Sequence, residues 1–457
     1  MSTINVSRIS TKQILLYSLG FVYIALSVHV WSNLTSLLFM EGSSVLYLSF
    51  ASLSFFLILC LAPVFGILSD NTRSSDGRRR PWIQVTVSIG LVLLVLSWVV
   101  NLFPYEIVIP LFIILVVGYL LSTILNINTR SLFSEMFLRV EERLKANAIL
   151  QTVIIIANFA LFFASFTHIT FIYDNIVLLM IFGISISTVG IITGILFAKS
   201  GFQEDEIFLT DAKVPVKESI KLVLKDRDFL LLIGLNVLLS LSFDYISNII
   251  SAPLNSPTLE PPGEFLASIF VFIRPLTTII FIFFWRHLSK TRDIKHNLKM
   301  GIIFLIFSTL PLSFLSPFLV IPLWILNAIG RAAFLLYNFV FISSIIDSNE
   351  IETKSRRDGT FFGVLIFLGI ITLLINTLFQ LFTTMFYNPP IFDPDFEYTL
   401  LSFFGTQYFV YFIVAIVFLL LSLMLLKRFN YNTEKIKEVE DKVIEIHNQK
   451  REELNKS

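Results

Sequence analysis

Three ionisable residues stand inside long apolar runs: Asp244 within Phe229–Ile250, Arg274 within Phe265–Trp285 and Arg331 within Phe318–Phe341. A charge at the centre of a membrane-spanning helix costs about 2.5–3.5 kcal/mol, so such residues are kept for function or held in pairs. A carboxylate in that setting is a candidate proton carrier, and an arginine is a fixed counter-charge. At 1.5 Å per residue, Asp244 lies roughly 9 Å and Arg274 about 14 Å below one boundary, so the two are expected side by side, with Arg331 nearer the midplane. Two readings stay open: the three line a cavity and handle solute or protons, or they form a structural ion pair with one arginine held by backbone carbonyls. Two arginines against one aspartate favour an anionic or zwitterionic solute. Pro275 is expected to kink its helix and free a carbonyl. Tyr23, His29, Asn33, Asn126, Asn158, Asn236, Asn248, Asn327 and Gln380 are the other polar groups in apolar runs. Each asparagine is either interhelical glue worth about 0.6 kcal/mol or a solute contact, and His29 is a second candidate proton site.

A second kind of chemistry sits in the loops. Asp70, Arg73, Gly77, Arg78, Arg79, Arg80, Pro81 and Trp82 form one short stretch between apolar runs. Basic loop residues ordinarily report only topology. Here they come with an acid at a helix end, a turn glycine and a proline suited to a first helical turn, where its missing N–H costs nothing. Those parts suit a charge-relay latch in which Asp70 pairs with Arg73 or with an arginine of the triplet. Two further loops carry mixed charge: Arg130 with Glu135, Glu142 and Arg143, and Arg356-Arg357-Asp358-Gly359-Thr360.

This pattern resembles the glycoside–pentoside–hexuronide:cation symporter family, which includes melibiose permease and the plant sucrose transporters. The match rests on Asp70, Arg73, Gly77-Arg78-Arg79-Arg80-Pro81-Trp82, and on the basic–acid–Gly–Thr–aromatic stretch from Arg356 to Phe361. The loop with Arg130, Glu135 and Arg143 is closer to the sucrose-transporter branch. The resemblance implies a major facilitator fold and transport of solutes, often sugars, coupled to protons or sodium, with the loop motifs serving gating. The chain departs from melibiose permease-like members: helices one and two have no acid, and no lysine stands near Gly369–Ile370. Proton coupling is therefore expected rather than sodium coupling.

The elements that must position these groups are helices. Apolar runs long enough to cross a bilayer occur at Gln13–Phe39, Val45–Leu68, Trp82–Phe103, Ile107–Asn126, Ala148–His168 and Ile176–Ala198. They recur at Phe229–Ile250, Phe265–Trp285, Met300–Leu315, Phe318–Phe341, Thr360–Met385 and Phe403–Leu426. The predicted fold is thus all-α and integral to the membrane, with 12 transmembrane helices in two pseudo-symmetric six-helix halves. The expected divisions are residues 1–200, a linker 201–228, residues 229–427 and a charged tail 428–457. Within the linker, Val214–Leu224 predicts a short surface helix. In the tail, Ile436, Val439, Val443 and Ile446 have helical spacing, and a solvated helix is expected there.

Of 34 Lys and Arg, all but Arg274 and Arg331 fall in alternate loops or at the termini, whereas Glu41, Glu106, Asp174, Glu260, Glu264, Asp393, Asp395 and Glu397 fall in the others. This places both termini in the cytoplasm. A cell-membrane location is expected, with the first helix retained, since no small-residue cleavage site follows it. The hydrophobic share of 55% and a net charge of +1 exclude a soluble domain and argue against a nucleic-acid partner. Cys60 is read as a small apolar residue. No cofactor or metal is expected. The partners are a small-molecule solute and the lipid bilayer, and the chain is expected to be a monomer. The competing readings are a lipid or lysolipid carrier of the same fold, a uniporter, a non-transporting sensor, and a membrane enzyme. An enzyme would need a catalytic cluster on facing helices, and His29 is the only histidine well inside a run.

Overall fold

In lipid every backbone N–H and C=O must find a partner inside the protein, so long apolar runs cross as helices. The computed structural model describes residues 9–40, 56, 58–100, 108–167, 176–200, 204–252, 263–386, 403–404 and 406–456. Among them the regular structure is helical throughout. The helices are α1 (Thr11–Met40), α2 (Ala62–Asp70), α3 (Arg80–Val100), α4 (Val108–Met136), α5 (Val140–Thr167), α6 (Ile176–Ala198) and α7 (Val216–Lys225). The series continues with α8 (Arg227–Ser251), α9 (Gly263–Leu288), α10 (Ile294–Ser308), α11 (Val320–Thr353), α12 (Asp358–Phe386), α13 (Gln407–Arg428) and α14 (Thr433–Leu454). Each of the 12 expected spans overlaps one of these, with α7 and α14 left over. Eight are long and apolar enough to cross a bilayer within the described residues. The chain is an integral, multi-pass membrane protein. The acids expected at Glu41, Glu106, Asp174, Glu260, Asp393, Asp395 and Glu397 lie outside the described residues, as do the side chains of Asn33 and Glu264.

Several boundaries differ from expectation, for one physical reason. Hydropathy finds the part of a helix that meets lipid, whereas the helix itself continues wherever its charges are paired. So α4 runs on to Met136 and α11 to Thr353, and α5 begins at Val140. Arg130, Glu135 and Arg143 accordingly sit on helices rather than in a loop. At the ninth expected span the reverse holds. Here α10 starts at Ile294, capped by the Asp293 carboxylate, and stops at Ser308; Pro311 opens a separate 3-10 turn, because proline lacks the donor that would continue the ladder.

The chain packs as two compact units. The first comprises residues 1–223, 346–367 and 440–457. In it α1 packs on α4, α5 and α6, and α3 packs on α4 and α6. Its aromatic centre is Tyr17, ringed by Phe21, Phe133, Phe137 and Phe197. The second unit comprises residues 224–345 and 368–439. There α13 packs closely on α8 and also on α10, with Tyr245 stacked on Tyr411 at 5.4 Å. Tyr337 of α11 ties three helices together: its hydroxyl donates to the Trp285 carbonyl at 3.0 Å, pairs with Ser289 at 2.8 Å and accepts from Asn297 at 3.2 Å.

The tail departs from expectation. Ile436, Val439, Val443 and His447 are buried, so α14 is a docked helix rather than a solvated one. Its charged composition hid this, because the partners of those charges lie elsewhere in the chain.

Candidate functional site

The loop motif closes on itself inside the first unit. The Asp70 carboxylate, at the end of α2, accepts from the backbone N–H groups of Gly359 (2.9 Å) and Thr360 (2.8 Å) and from the Thr360 hydroxyl (2.7 Å). It thereby caps the first turn of α12, where free N–H groups and the helix dipole favour negative charge. Arg79 holds the same carboxylate at 2.6 Å, reaches Glu135 at 2.9 Å and donates to Ser69 at 2.7 Å. Ser69 in turn is hydrogen-bonded to Asn128. Of the two partners expected for Asp70, the triplet supplies the one used. Arg73 instead donates to the carbonyls of Asp70, Thr72 and Asp211.

Around this centre the buried charges form one connected network. Arg78 pairs with Glu135 at 2.8 Å and lies 4.9 Å from the Phe208 ring centroid. Arg356 pairs with Asp347 (3.0 Å), Glu350 (2.7 Å) and Asp358 (2.9 Å), and donates to the Ser134 carbonyl at 2.8 Å. Arg143 pairs with Asp347 at 2.7 Å. Arg78, Arg79 and Arg143 are fully buried and Arg356 is 1% exposed. Burial alone would lower the Arg79 pKa. The carboxylates of Glu135, Asp70, Asp358 and Glu204 outweigh it and hold the guanidinium more firmly charged than usual. Arg356 is raised in the same way: burial opposes the charge, and Asp358, Asp347 and Glu350 more than restore it. Arg357 has no carboxylate within ion-pair distance among the described residues, and burial pulls its pKa down.

Glu204 adds a cap that the motif does not announce. Its carboxylate accepts from the backbone N–H groups of Arg78 (2.7 Å), Arg79 (2.6 Å) and Arg80 (2.8 Å) at the start of α3. Gly77, at φ 105°, makes room for it: a Cβ there would lie 2.9 Å from the Glu204 carboxyl carbon. Pro81 sits in that first turn, as expected. Burial, with repulsion from Glu135, raises the Glu204 pKa against the pull of Arg79. A carboxyl raised in the fold stabilises it below the usual glutamate range and loses that contribution as pH rises through the folded value. Glu204→Gln keeps an acceptor for the Arg79 and Arg80 N–H groups but sets an amide NH2 against that of Arg78, so it is expected to lose part of the stability in detergent, and Glu204→Ala about 1–2 kcal/mol. Equal losses in both variants would contradict this.

Inside the apolar spans, the second unit brings together some of the expected residues. Asp244 of α8 accepts from Asn376 of α12 at 3.2 Å, and Asn376 accepts from Gln380 at 3.3 Å. Arg331 of α11 lies within electrostatic reach of Asp244 and 5.6 Å from the Phe243 ring centroid. Arg274 does not join them. It stacks over Trp324 at 4.7 Å, so the expected Asp244–Arg274 contact is absent. Matching depth brings residues level, but the helix face decides whether they meet. Pro275 leaves α9 unbroken, and the Arg274 carbonyl accepts from the Thr278 hydroxyl at 2.7 Å.

The remaining candidates take other places. Tyr23 packs between Gly90 of α3 and Gly194 of α6. Asn126 accepts from Arg130 at 2.6 Å on the same helix. Asn158 is exposed on α5 and His29 half-buried on α1. Asn327 is fully buried, and its amide has no hydrogen-bond partner among the described residues. Sequence reasoning missed Glu204, Asp211, Asp347, Glu350, His447 and Lys450. It missed Asn376 too, although its spacing of four from Gln380 in an apolar helix was a readable sign.

The helical order is that of a major facilitator fold. The chain matches the family of MFS/sugar transport proteins over residues 15–433 and belongs to it. It is a membrane transporter. Among solved structures, it is similar to the proton:xylose symporter XylE bound to 6-bromo-6-deoxy-D-glucose, at 14% identity and TM-score 0.63, covering 94% of this chain and 98% of that one. The E. coli fucose:proton symporter FucP is similar at 13% identity and TM-score 0.64, covering 90% and 98%. A bacterial homologue of the iron transporter ferroportin, in an outward-facing state, is similar at 14% identity and TM-score 0.60, covering 91% and 99%. No curated protein matches the chain.

Proposed function

We propose that the protein is a proton-coupled secondary transporter that moves a sugar- or glycoside-like solute across the cell membrane by alternating access. The observation that carries this reading is Asp244, a carboxylate within a spanning helix, held by Asn376 and within electrostatic reach of Arg331. An acid so placed exchanges a proton with whichever side the site faces, and Arg331 offers its guanidinium to the solute or to the ionised acid. The arginine also suits a solute with a carboxylate, such as a hexuronide. Relatives that carry xylose or fucose with protons support the same class. The halves at 1–200 and 229–427 act as the two rocking bundles, with residues 201–228 as their link. Both termini face the cytoplasm, and the Asp70–Arg79–Glu135 network is the cytoplasmic gate. The chain works as a monomer.

The test is uptake in proteoliposomes for neutral disaccharides, hexuronides, small carboxylates and lysolipids, with and without an inward proton gradient. Gradient-dependent accumulation of a glycoside or hexuronide is the expected result. Flux of lysolipid alone, or flux indifferent to the gradient, would replace this reading with a lipid carrier or a uniporter.

A further inference from the structure

Two acids of the first unit's network, Asp211 and Glu350, are short of ion-pair partners without the C-terminal helix. Within ion-pair distance, Arg78, Arg79, Arg143 and Arg356 stand against Asp70, Glu135, Asp347, Glu350 and Asp358, and Asp211 accepts from the Arg356 backbone N–H at 2.9 Å. Buried carboxylates left in excess are costly. The missing charge comes from α14. Lys450 bridges Asp211 at 2.8 Å and Glu350 at 3.0 Å, and His447 sits 3.1 Å from both oxygens of Glu350. Arg451 pairs with Asp205 in the linker. The His447 ring is 1% exposed and meets Phe208 edge-on at 5.3 Å. Phe208 is the same ring that lies under Arg78 and Arg356.

We propose that α14 is a strap that locks this gate, and that protonation of His447 tightens it. The idea rests on reading the network as a gate. The groups facing His447 are Glu350 from α11, Phe208 from the linker and Lys450 from its own helix. Arg356 and Asp211 lie one contact further out, and Arg357 acts on Asp211 at longer range. With a protonated His447 in place, Glu350 meets Arg356, Lys450 and the imidazolium together. Loss of the proton leaves Glu350 with one charged partner fewer and loosens the strap. The functional sense follows from the proposed coupling. A symporter that carries protons inward acidifies the compartment its tail occupies, so the strap acts as product feedback on the gate.

The test needs no substrate. Hydrogen–deuterium exchange is measured on the full chain in detergent at about pH 6 and about pH 8, which bracket the histidine range. Rates are corrected for intrinsic pH dependence. The readouts are the first turn of α12, whose Gly359 and Thr360 amides report the gate, and residues 440–454. Native protein is expected to show roughly tenfold stronger protection in both segments at the lower pH, the size of one charge-assisted hydrogen bond gained. Asp358, raised to about 7 by burial, titrates in the same window beside the α12 readout, so His447→Gln, which keeps a hydrogen-bonding side chain without the charge, should show a clearly smaller pH dependence than the native chain, most visibly in residues 440–454. Lys450→Gln should weaken protection at both while keeping the pH dependence. PH-independent protection in the native chain, or an unchanged pH dependence in His447→Gln, overturns the proposal. So does a gate that keeps native protection when the strap is loosened by Lys450→Gln. None of these outcomes bears on the uptake assay, so the transport reading stands or falls separately.

Discussion

Arg79→Ala is expected to undo the latch and cost on the order of 3–5 kcal/mol, the usual effect of removing one partner from a buried ion pair. Arg79 is fully buried and, among the described residues, is the one cation paired with the Asp70 carboxylate, while it also holds Glu135. Its removal leaves Asp70 to rely on the N–H groups of α12, and leaves Glu135 to Arg78 alone. Asp358, 3.9 Å from Arg79, loses its second cation. The measurable results are a clear fall in melting temperature in detergent and fast amide exchange at Gly359 and Thr360. Arg79→Lys should recover only part of this, because a lysine ammonium cannot reproduce the planar fork that reaches Asp70, Glu135 and Ser69 together. If Arg79→Ala melted like the native protein with its α12 amides still protected, the network would be decoration rather than a latch.

The second large effect is steric. At Gly66 of α2, a Cβ would fall on the Gly359 carbonyl, and at Gly363 it would lie 2.6 Å from the Ala62 carbonyl oxygen and 2.9 Å from the Pro63 Cα. These neighbours are backbone, not the tips of flexible side chains, so α2 and the start of α12 would have to separate. Gly66→Val and Gly363→Val are therefore expected to abolish gradient-driven uptake and to expose the Gly359 and Thr360 amides to exchange. Gly369, further along α12, has nothing among the described residues within 4 Å of its would-be Cβ. Gly369→Ala should leave uptake intact and gain up to about 1 kcal/mol from helix propensity. Native-like uptake in Gly66→Val would show that the close crossing of these helices is not needed.

The reach of the sequence can be judged from these residues. Asp70, Arg78, Arg79 and Gly359 announced themselves, because a motif keeps its chemistry within a few positions and hydropathy brackets it. The helix count was legible for the same reason. What the sequence could not show was partnership over long separations. Glu350 meets Lys450 and His447 about a hundred residues away, and Glu204 caps a helix that begins 124 residues before it. Charge patterning alone made α14 look solvated, since an unpaired lysine and a paired one read alike. In the spans, depth counting placed Asp244 and Arg274 level, yet Arg274 turned to Trp324 and Asp244 to Asn376. Rotation about the helix axis is the quantity a hydropathy profile lacks.

If Asp244 carries the proton that drives accumulation, Asp244→Asn should uncouple transport from the gradient. Asparagine keeps an acceptor for the Asn376 amide and removes the titrating group, so the site should still bind and exchange solute. In proteoliposomes, gradient-driven accumulation of the transported solute is expected to disappear while counterflow exchange continues near the native rate. Accumulation that persists in Asp244→Asn, with the same dependence on the proton gradient, would contradict that role and leave Asp244 a structural partner of Asn376.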